Sequence, residues 1–177
     1  GDITTLSFHA TKLFHTIEGG AIITSDDDLA QRIRLMINFG ITGPETIECV
    51  GINCKLNEIQ AIMGLCVLDD FSKIIEDRKR VFNCYLSNLP KVLVFQKWQP
   101  HSQQNYHYFP VLLDSIETLK RIQIELNQNE VFPRRYFFPS LDSLPFIINN
   151  SEMQPVSKSI SERILCLPIY PSLNELD

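Results

Sequence analysis

Residues 1–8 and 20–24 are runs rich in apolar and β-branched side chains, the second opening on Gly19-Gly20, and both read as strands. Asp26-Asp27-Asp28 then precede Leu29, Ile33, Met36 and Ile37. That is a 3.6-residue apolar stripe behind an acidic first turn, which predicts a helix ending near Asn38-Phe39-Gly40. Residues 41–52 read as loop. Asn57 and Gln60 form a capping pair for a long helix carrying Ile59, Met63, Val67, Phe71, Ile74, Ile75, Val81, Phe82 and Tyr85, which Pro90 terminates.

Beyond Val92 the pattern becomes α+β. Strands are predicted near 92–97 and 106–113. A helix follows at about 115–128, with Ile116, Leu119, Ile122 and Leu126 on one face, and a further strand near 130–136. The stretch from Phe137 to Ser157 reads as loop, followed by a short helix from Ser157 to Ile164 and a final extended segment from Leu165 to Tyr170. The helix begun at Asn57 is too long for one small domain and predicts a bridge between two. All seven glycines fall at or before Gly64, as expected of a loop-rich binding portion followed by regular packing elements.

A chain of 177 residues with 44% hydrophobic content can bury a substantial core in one or two domains. Its formal charge of -5 argues against nucleic acid as the main partner. The apolar runs are too short to span a bilayer and no signal peptide is visible, so a cytoplasmic protein without membrane association is expected. The five cysteines contain no C-x-x-C pair and are expected as free, mostly buried thiols. The histidines are scattered at 9, 15, 101 and 107, and no metal site is predicted. Asn149-Asn150-Ser151 has the form of a glycosylation sequon but reads as a polar loop.

The most informative segment is Ser7-Phe8-His9-Ala10-Thr11-Lys12, followed by Glu18-Gly19-Gly20. It places a lysine in a loop between two strands, where packed backbone can strip part of its hydration and leave the amine as a nucleophile. Alone, such a lysine is most often a solvated surface group, and Gly19-Gly20 a simple turn. The order of further segments changes the reading. Ser7 to Lys12 resembles the S-F-x-x-x-K segment of the pyridoxal-phosphate-dependent sugar aminotransferases of the DegT/DnrJ/EryC1/StrS type. Gly51 to Ala61 resembles that family's G-x-N-x-[RK]-x-x-E-x-Q-A signature. Tyr106 to Phe109, Pro133 to Leu141 and Leu165 to Pro171 resemble, in order, landmarks of its C-terminal domain.

The resemblance implies an α/β fold of the aspartate aminotransferase type (fold type I). Residues 1–56 would end the large cofactor-binding domain, 57–90 form a bridging helix, and 91–177 form a small α+β domain. It further implies pyridoxal 5'-phosphate (PLP) as cofactor and Lys12 as the Schiff-base lysine and proton shuttle. Ser7 would bind the cofactor phosphate, and Asn53 would reach the phosphate of the neighbouring subunit, giving a homodimer with shared sites. Lys55 would face donor carboxylate or sugar phosphates, and Tyr136 would lie near the sugar. His107 would be a second substrate-side residue, and Arg134 or Arg135 could contact the diphosphate. Read without the resemblance, Asn53 is a loop residue, Lys55 a solvated charge, His107 a packing histidine and Tyr136 a core or edge tyrosine.

The reaction implied is transfer of an amino group from glutamate to a nucleotide-linked keto-deoxysugar. The family's upstream portion, with the aspartate for the pyridine nitrogen and the ring that stacks on the cofactor, is not in the sequence. The chain therefore reads as the C-terminal half of a longer protein, inactive by itself. Two alternatives stay open: a family relative with other chemistry (a cyclitol or aromatic-precursor aminotransferase, or a sugar dehydratase), and a noncatalytic dimerisation unit. The dehydratase branch replaces the lysine with histidine, whereas lysine is retained here.

Overall fold

The computed structural model describes residues 1–147 and 154–174, so the Asn149-Asn150-Ser151 sequence lies outside the described residues. The chain divides into two compact units, Gly1–Ser72 and Lys73–Asp177.

In the first unit, β1 (Thr4–Ser7) pairs antiparallel with β2 (Gly20–Ile23), from Thr4 opposite Ile23 to Ser7 opposite Gly20. Helix α1 (Asp27–Met36) starts where the Asp26 carboxylate accepts from the Leu29 N–H at 3.0 Å, a side-chain cap on an otherwise orphan donor. The expected loop at 41–52 contains a small antiparallel hairpin, β3 (Ile41–Gly43) with β4 (Thr46–Ile47). It leaves Gly40, whose φ of +75° and close approach to Cys49 O admit no side chain. Helix α2 (Glu58–Asn88) opens with the reciprocal cap predicted from the sequence: Gln60 N donates to Asn57 Oδ1 at 2.9 Å and Asn57 N to Gln60 Oε1 at 3.3 Å. The boundary between the units falls inside this helix.

Among the described residues of the first unit, Val67 is the one buried large aliphatic side chain. Leu6, Ile22, Ile23, Ile52, Ile59, Ile62 and Leu65 are all exposed, including Ile59, which opens the predicted apolar stripe of α2. A two-stranded sheet and one helix face cannot cover that much apolar surface by themselves.

The second unit holds the main core. Its sheet has the order β5 (Val94–Phe95), β6 (Phe109–Leu112), β7 (Ile164–Leu167), all antiparallel. Strand alternation sends Phe109 and Val111 into the core with Phe82, Leu113, Leu119 and Leu165. The Phe109 ring meets Phe82 and Tyr85 of α2, each at 4.8 Å between centroids. Helix α3 (Ile116–Gln128) is capped by Ser115, whose Oγ accepts from Thr118 N at 3.1 Å. Helix α4 (Pro155–Arg163) begins two residues before the predicted start, with proline in its first turn, where no N–H is needed.

Several predicted strands are shorter than expected: 1–8 is reduced to Thr4–Ser7 and 92–97 to Val94–Phe95. The 106–113 strand begins only at Phe109, because Tyr106 has a φ of +53° that no strand accommodates. The 130–136 strand is reduced to one bridge, Arg134 to Cys166 (N–O 2.9 and 2.8 Å). Glu130 at φ +62° and Pro133, which has no N–H, prevent a longer ladder. The cysteines are all free, as expected, but not mostly buried: Cys166 is buried, Cys49 and Cys84 are half-buried, and Cys54 and Cys66 are exposed. None of the described helices is long and apolar enough to cross a membrane.

Candidate active site

The β1–β2 hairpin closes at Ser7 and Gly20, and the loop between them is fastened internally. Phe8 N donates to Gly19 O, Thr16 N to Phe8 O and Lys12 N to His9 O, each at 2.9 Å. Thr16, nearly fully buried, donates its hydroxyl to Glu18 O at 2.8 Å. The Phe8 and Phe14 rings meet edge to face at 4.7 Å, and His9 Nε2 lies 3.6 Å from Glu18 Oε1. A Cβ at Gly19 would stand 2.3 Å from Thr16 Oγ1, so glycine is required there for close packing.

This loop carries Ser7, exposed, and Lys12, half-buried. Among the described residues, no hydrogen bond or ion pair holds Lys12 Nζ. The fit to PLP rests on that donor set: an uncommitted primary amine for the cofactor's carbonyl carbon, and an exposed hydroxyl at the strand end for its phosphate. Both are mounted on a loop whose backbone is tied down, which pre-organises them.

A second pair lies in the segment ahead of α2. Asn53 bridges Asn38, and its Oδ1 accepts from Lys55 Nζ at 2.7 Å. The Lys55 ammonium also sits 4.2 Å from the centroid of the Phe39 ring. With its carbonyl oxygen engaged, Asn53 has its amide nitrogen to offer an anion. A cleft of about 740 Å³ is lined by Lys55, Leu56 and Gln60 and by Gly19 and Gly20, but not by Ser7 or Lys12.

The second unit, taken by itself, carries an aromatic array. The His107 ring stacks on Tyr108 at 3.9 Å, Tyr108 lies 5.1 Å from Tyr136, and Tyr136 lies 4.6 Å from Phe137. The Tyr136 hydroxyl accepts from Arg134 Nη1 at 2.7 Å. Burial pushes the Tyr108 phenol up, and the neighbouring Tyr136 adds to the effect, so Tyr108 stays neutral as a hydrogen-bonding group. Arg135 is committed elsewhere. Its guanidinium lies 3.6 Å over the Phe138 ring and donates to Ser161 O and Glu162 O at the end of α4. The solvent side of this array is a groove of about 430 Å³ lined by Tyr108, Tyr136 and Phe137 with Pro110, Leu112 and Cys166 of the sheet.

A cavity of about 870 Å³ lies on the core side of the second unit, around Arg80, Tyr85 and Phe132, and none of the predicted site residues lines it. The sequence reading also passed over Tyr108, whose ring lies against both His107 and Tyr136, and Arg78, whose guanidinium donates to the Tyr106 and His107 carbonyls. Arg78 had a signal: it falls on the apolar stripe of α2, where a charged residue is out of place.

The comparisons with known proteins agree along the whole chain. The model of the DegT/DnrJ/EryC1/StrS aminotransferase family matches residues 1–177. A dTDP-4-amino-4,6-dideoxy-D-glucose transaminase of Shigella dysenteriae is 32% identical over 98% of this chain and 49% of its own length. The Escherichia coli protein of the same name is 35% identical over 89% of this chain and 45% of its length. A crystal structure of DesI in the presence of its TDP-sugar product superposes with a TM-score of 0.86 and 33% identity, covering 100% of this chain and 47% of that one. The chain thus spans about half the length of the curated relatives it matches. Its α/β elements follow the fold of these sugar aminotransferases, and the chain belongs to the DegT/DnrJ/EryC1/StrS aminotransferase family.

Proposed function

We propose that this chain is the lysine-bearing half of a PLP-dependent aminotransferase that moves an amino group from glutamate to a nucleotide-linked keto-deoxysugar. The observation that carries the reading is Lys12: a half-buried amine, without a partner among the described residues, on a loop fastened at both ends. The names of two relatives support dTDP-linked 4-keto-6-deoxyhexoses, the keto counterparts of a 4-amino-4,6-dideoxy sugar, as the substrate class.

When bound, PLP supplies a conjugated ring that accepts the electron pair released as the donor's α-proton leaves. This chain's residues have the other tasks. Lys12 would hold the cofactor at its carbonyl carbon, and its amine, once free, would take up and return the donor's α-proton. Ser7 donates its hydroxyl to the cofactor phosphate. Asn53 donates its amide to the phosphate held by the second subunit of a homodimer, and Lys55 meets the donor carboxylate or the sugar's phosphates. Tyr136, with His107 behind it, faces the sugar, and Arg134 orients the Tyr136 hydroxyl.

Residues 1–56 would complete the large cofactor-binding domain, 57–90 bridge to the small domain, and 91–177 form it. The exposed apolar side chains of the first unit support a core finished by chain outside these residues. A soluble cytoplasmic enzyme suits substrates of this kind. The test is to supply the complete protein with PLP, glutamate and a panel of dTDP- and UDP-linked keto-sugars. An amino sugar and 2-oxoglutarate should form together in equal amounts, and a protein that binds PLP yet aminates none of the panel would overturn the substrate class.

A further inference from the structure

Arg78 of α2 is 9% exposed, and no carboxylate among the described residues pairs with it. A guanidinium taken out of water without a counter-ion is costly and is retained only where its donors are well used. Here they serve one short segment: Nε donates to Tyr106 O at 3.0 Å and Nη2 to His107 O at 2.5 Å.

That segment is where the chain departs from strand geometry. Tyr106 has its φ of +53°, a conformation disfavoured for an aromatic residue unless its surroundings enforce it. Asn105 adds a second restraint by accepting from His107 N at 3.1 Å, and the Tyr106 ring rests edge-on against Phe82 at 5.4 Å. The His107 ring leaves this turn directly onto Tyr108, and Tyr108 leads to Tyr136. The direction of the 106 and 107 carbonyls and the placement of the rings are therefore coupled through one stretch of backbone.

We propose that Arg78 is a positioning residue for substrate recognition: by gripping the carbonyls of Tyr106 and His107 it fixes the His107–Tyr108–Tyr136 array, and with it the grip on the nucleotide sugar, without touching substrate. The inference rests on the reading that this array faces the sugar. Lysine cannot replace the arginine, since a single ammonium is a point charge without the planar fork that reaches two carbonyls.

The experiment uses the complete enzyme with Arg78→Lys, Arg78→Met, Tyr136→Phe and the double variant Arg78→Lys/Tyr136→Phe. The glutamate and sugar half-reactions are measured separately. Arg78→Lys should raise KM for the nucleotide sugar about tenfold, while KM for glutamate stays within about twofold. The double variant should be little worse than the worse single one, as expected of residues acting through one array. Tyr136→Phe decides the underlying reading: an unchanged sugar KM in that variant removes the array from the substrate site and the proposal with it. If Tyr136→Phe raises the sugar KM but Arg78→Lys does not, the array reading stands and the role of Arg78 falls. Equal losses in both half-reactions, or fully multiplicative effects in the double variant, mark Arg78 as a general packing residue and overturn the proposal. Failure of both Arg78 variants to fold does the same.

Discussion

Lys55 Nζ donates to Asn53 Oδ1 at 2.7 Å while standing 4.2 Å over the Phe39 ring, so the amide of Asn53 and the cation two residues on are oriented as one unit. Phe39 is placed for this by a φ of +62° at the end of α1, beside the tight turn at Gly40. The ring holds the ammonium, and the ammonium fixes which end of the amide is left for an anion.

Lys55→Met should therefore loosen the proposed phosphate contact of Asn53 as well as remove a charge. Because both residues are exposed, the loss is modest, about three- to tenfold in PLP affinity for the complete enzyme. Equilibrium dialysis of PLP against wild type and variant measures it. Unchanged cofactor affinity, with only the substrate constants altered, would confine Lys55 to the substrate side.

Lys12→Ala in the complete enzyme should lower transamination by roughly 10³-fold or more, since the proposed function makes the residue both cofactor anchor and proton carrier. The visible band of lysine-bound PLP should vanish, and a small exogenous amine should restore part of the proton transfer. Near-normal turnover in the variant would disqualify Lys12.

Much of this arrangement is legible in the sequence wherever a local rule acts alone. The acidic run Asp26-Asp27-Asp28 and the Asn57–Gln60 capping pair marked two helix starts because such end signals depend only on neighbours in sequence. The stripe from Phe71 to Tyr85 marked the core face of α2. The β3–β4 hairpin was not legible, being too short to show alternation and set by Gly40 packing against Cys49. The 130–136 strand failed for a similar reason, since its apolar residues imitate a strand while Pro133 and the backbone of Glu130 permit only one bridge. At the site, the motifs named Lys12, Asn53 and Tyr136, but nothing in their spacing gives the engagement of Lys55 with Phe39 or the link from His107 through Tyr108. Those are long-range packing outcomes. Arg78 was the exception that could have been found, as a charge on an apolar stripe.

Alkaline stability offers a test of the second unit's core. Burial, with smaller contributions from Tyr170 and Cys84, pushes the Tyr85 phenol up to about 12, and its hydroxyl donates to Pro168 O at 2.7 Å. An unfolded tyrosine titrates near about 10, so its stabilising contribution is fully present below about pH 10 and is lost as pH rises toward about 12. Tyr85→Phe should cost about 1 kcal/mol at neutral pH through the missing hydrogen bond. The stability difference between wild type and variant, from urea titrations, should shrink across that alkaline window. A constant difference from about pH 8 to about pH 12 would mean that the phenol is not held neutral by the fold.

Assembly gives the most demanding prediction. If Asn53 completes the phosphate site of a second subunit, each site of a dimer draws Lys12 from one chain and Asn53 from the other. Lys12→Ala and Asn53→Asp should each inactivate the homodimer, the first by removing the amine and the second by setting a carboxylate against a phosphate. A heterodimer of the two variants has one site with both defects and one site with neither. Mixing equal amounts and allowing subunits to exchange should restore about a quarter of wild-type activity, because about half the dimers are mixed and each carries one intact site. Differently tagged chains, co-purified after mixing, report the exchange independently of activity. Confirmed exchange with no return of activity would place Asn53 in its own subunit's site or outside the active site altogether.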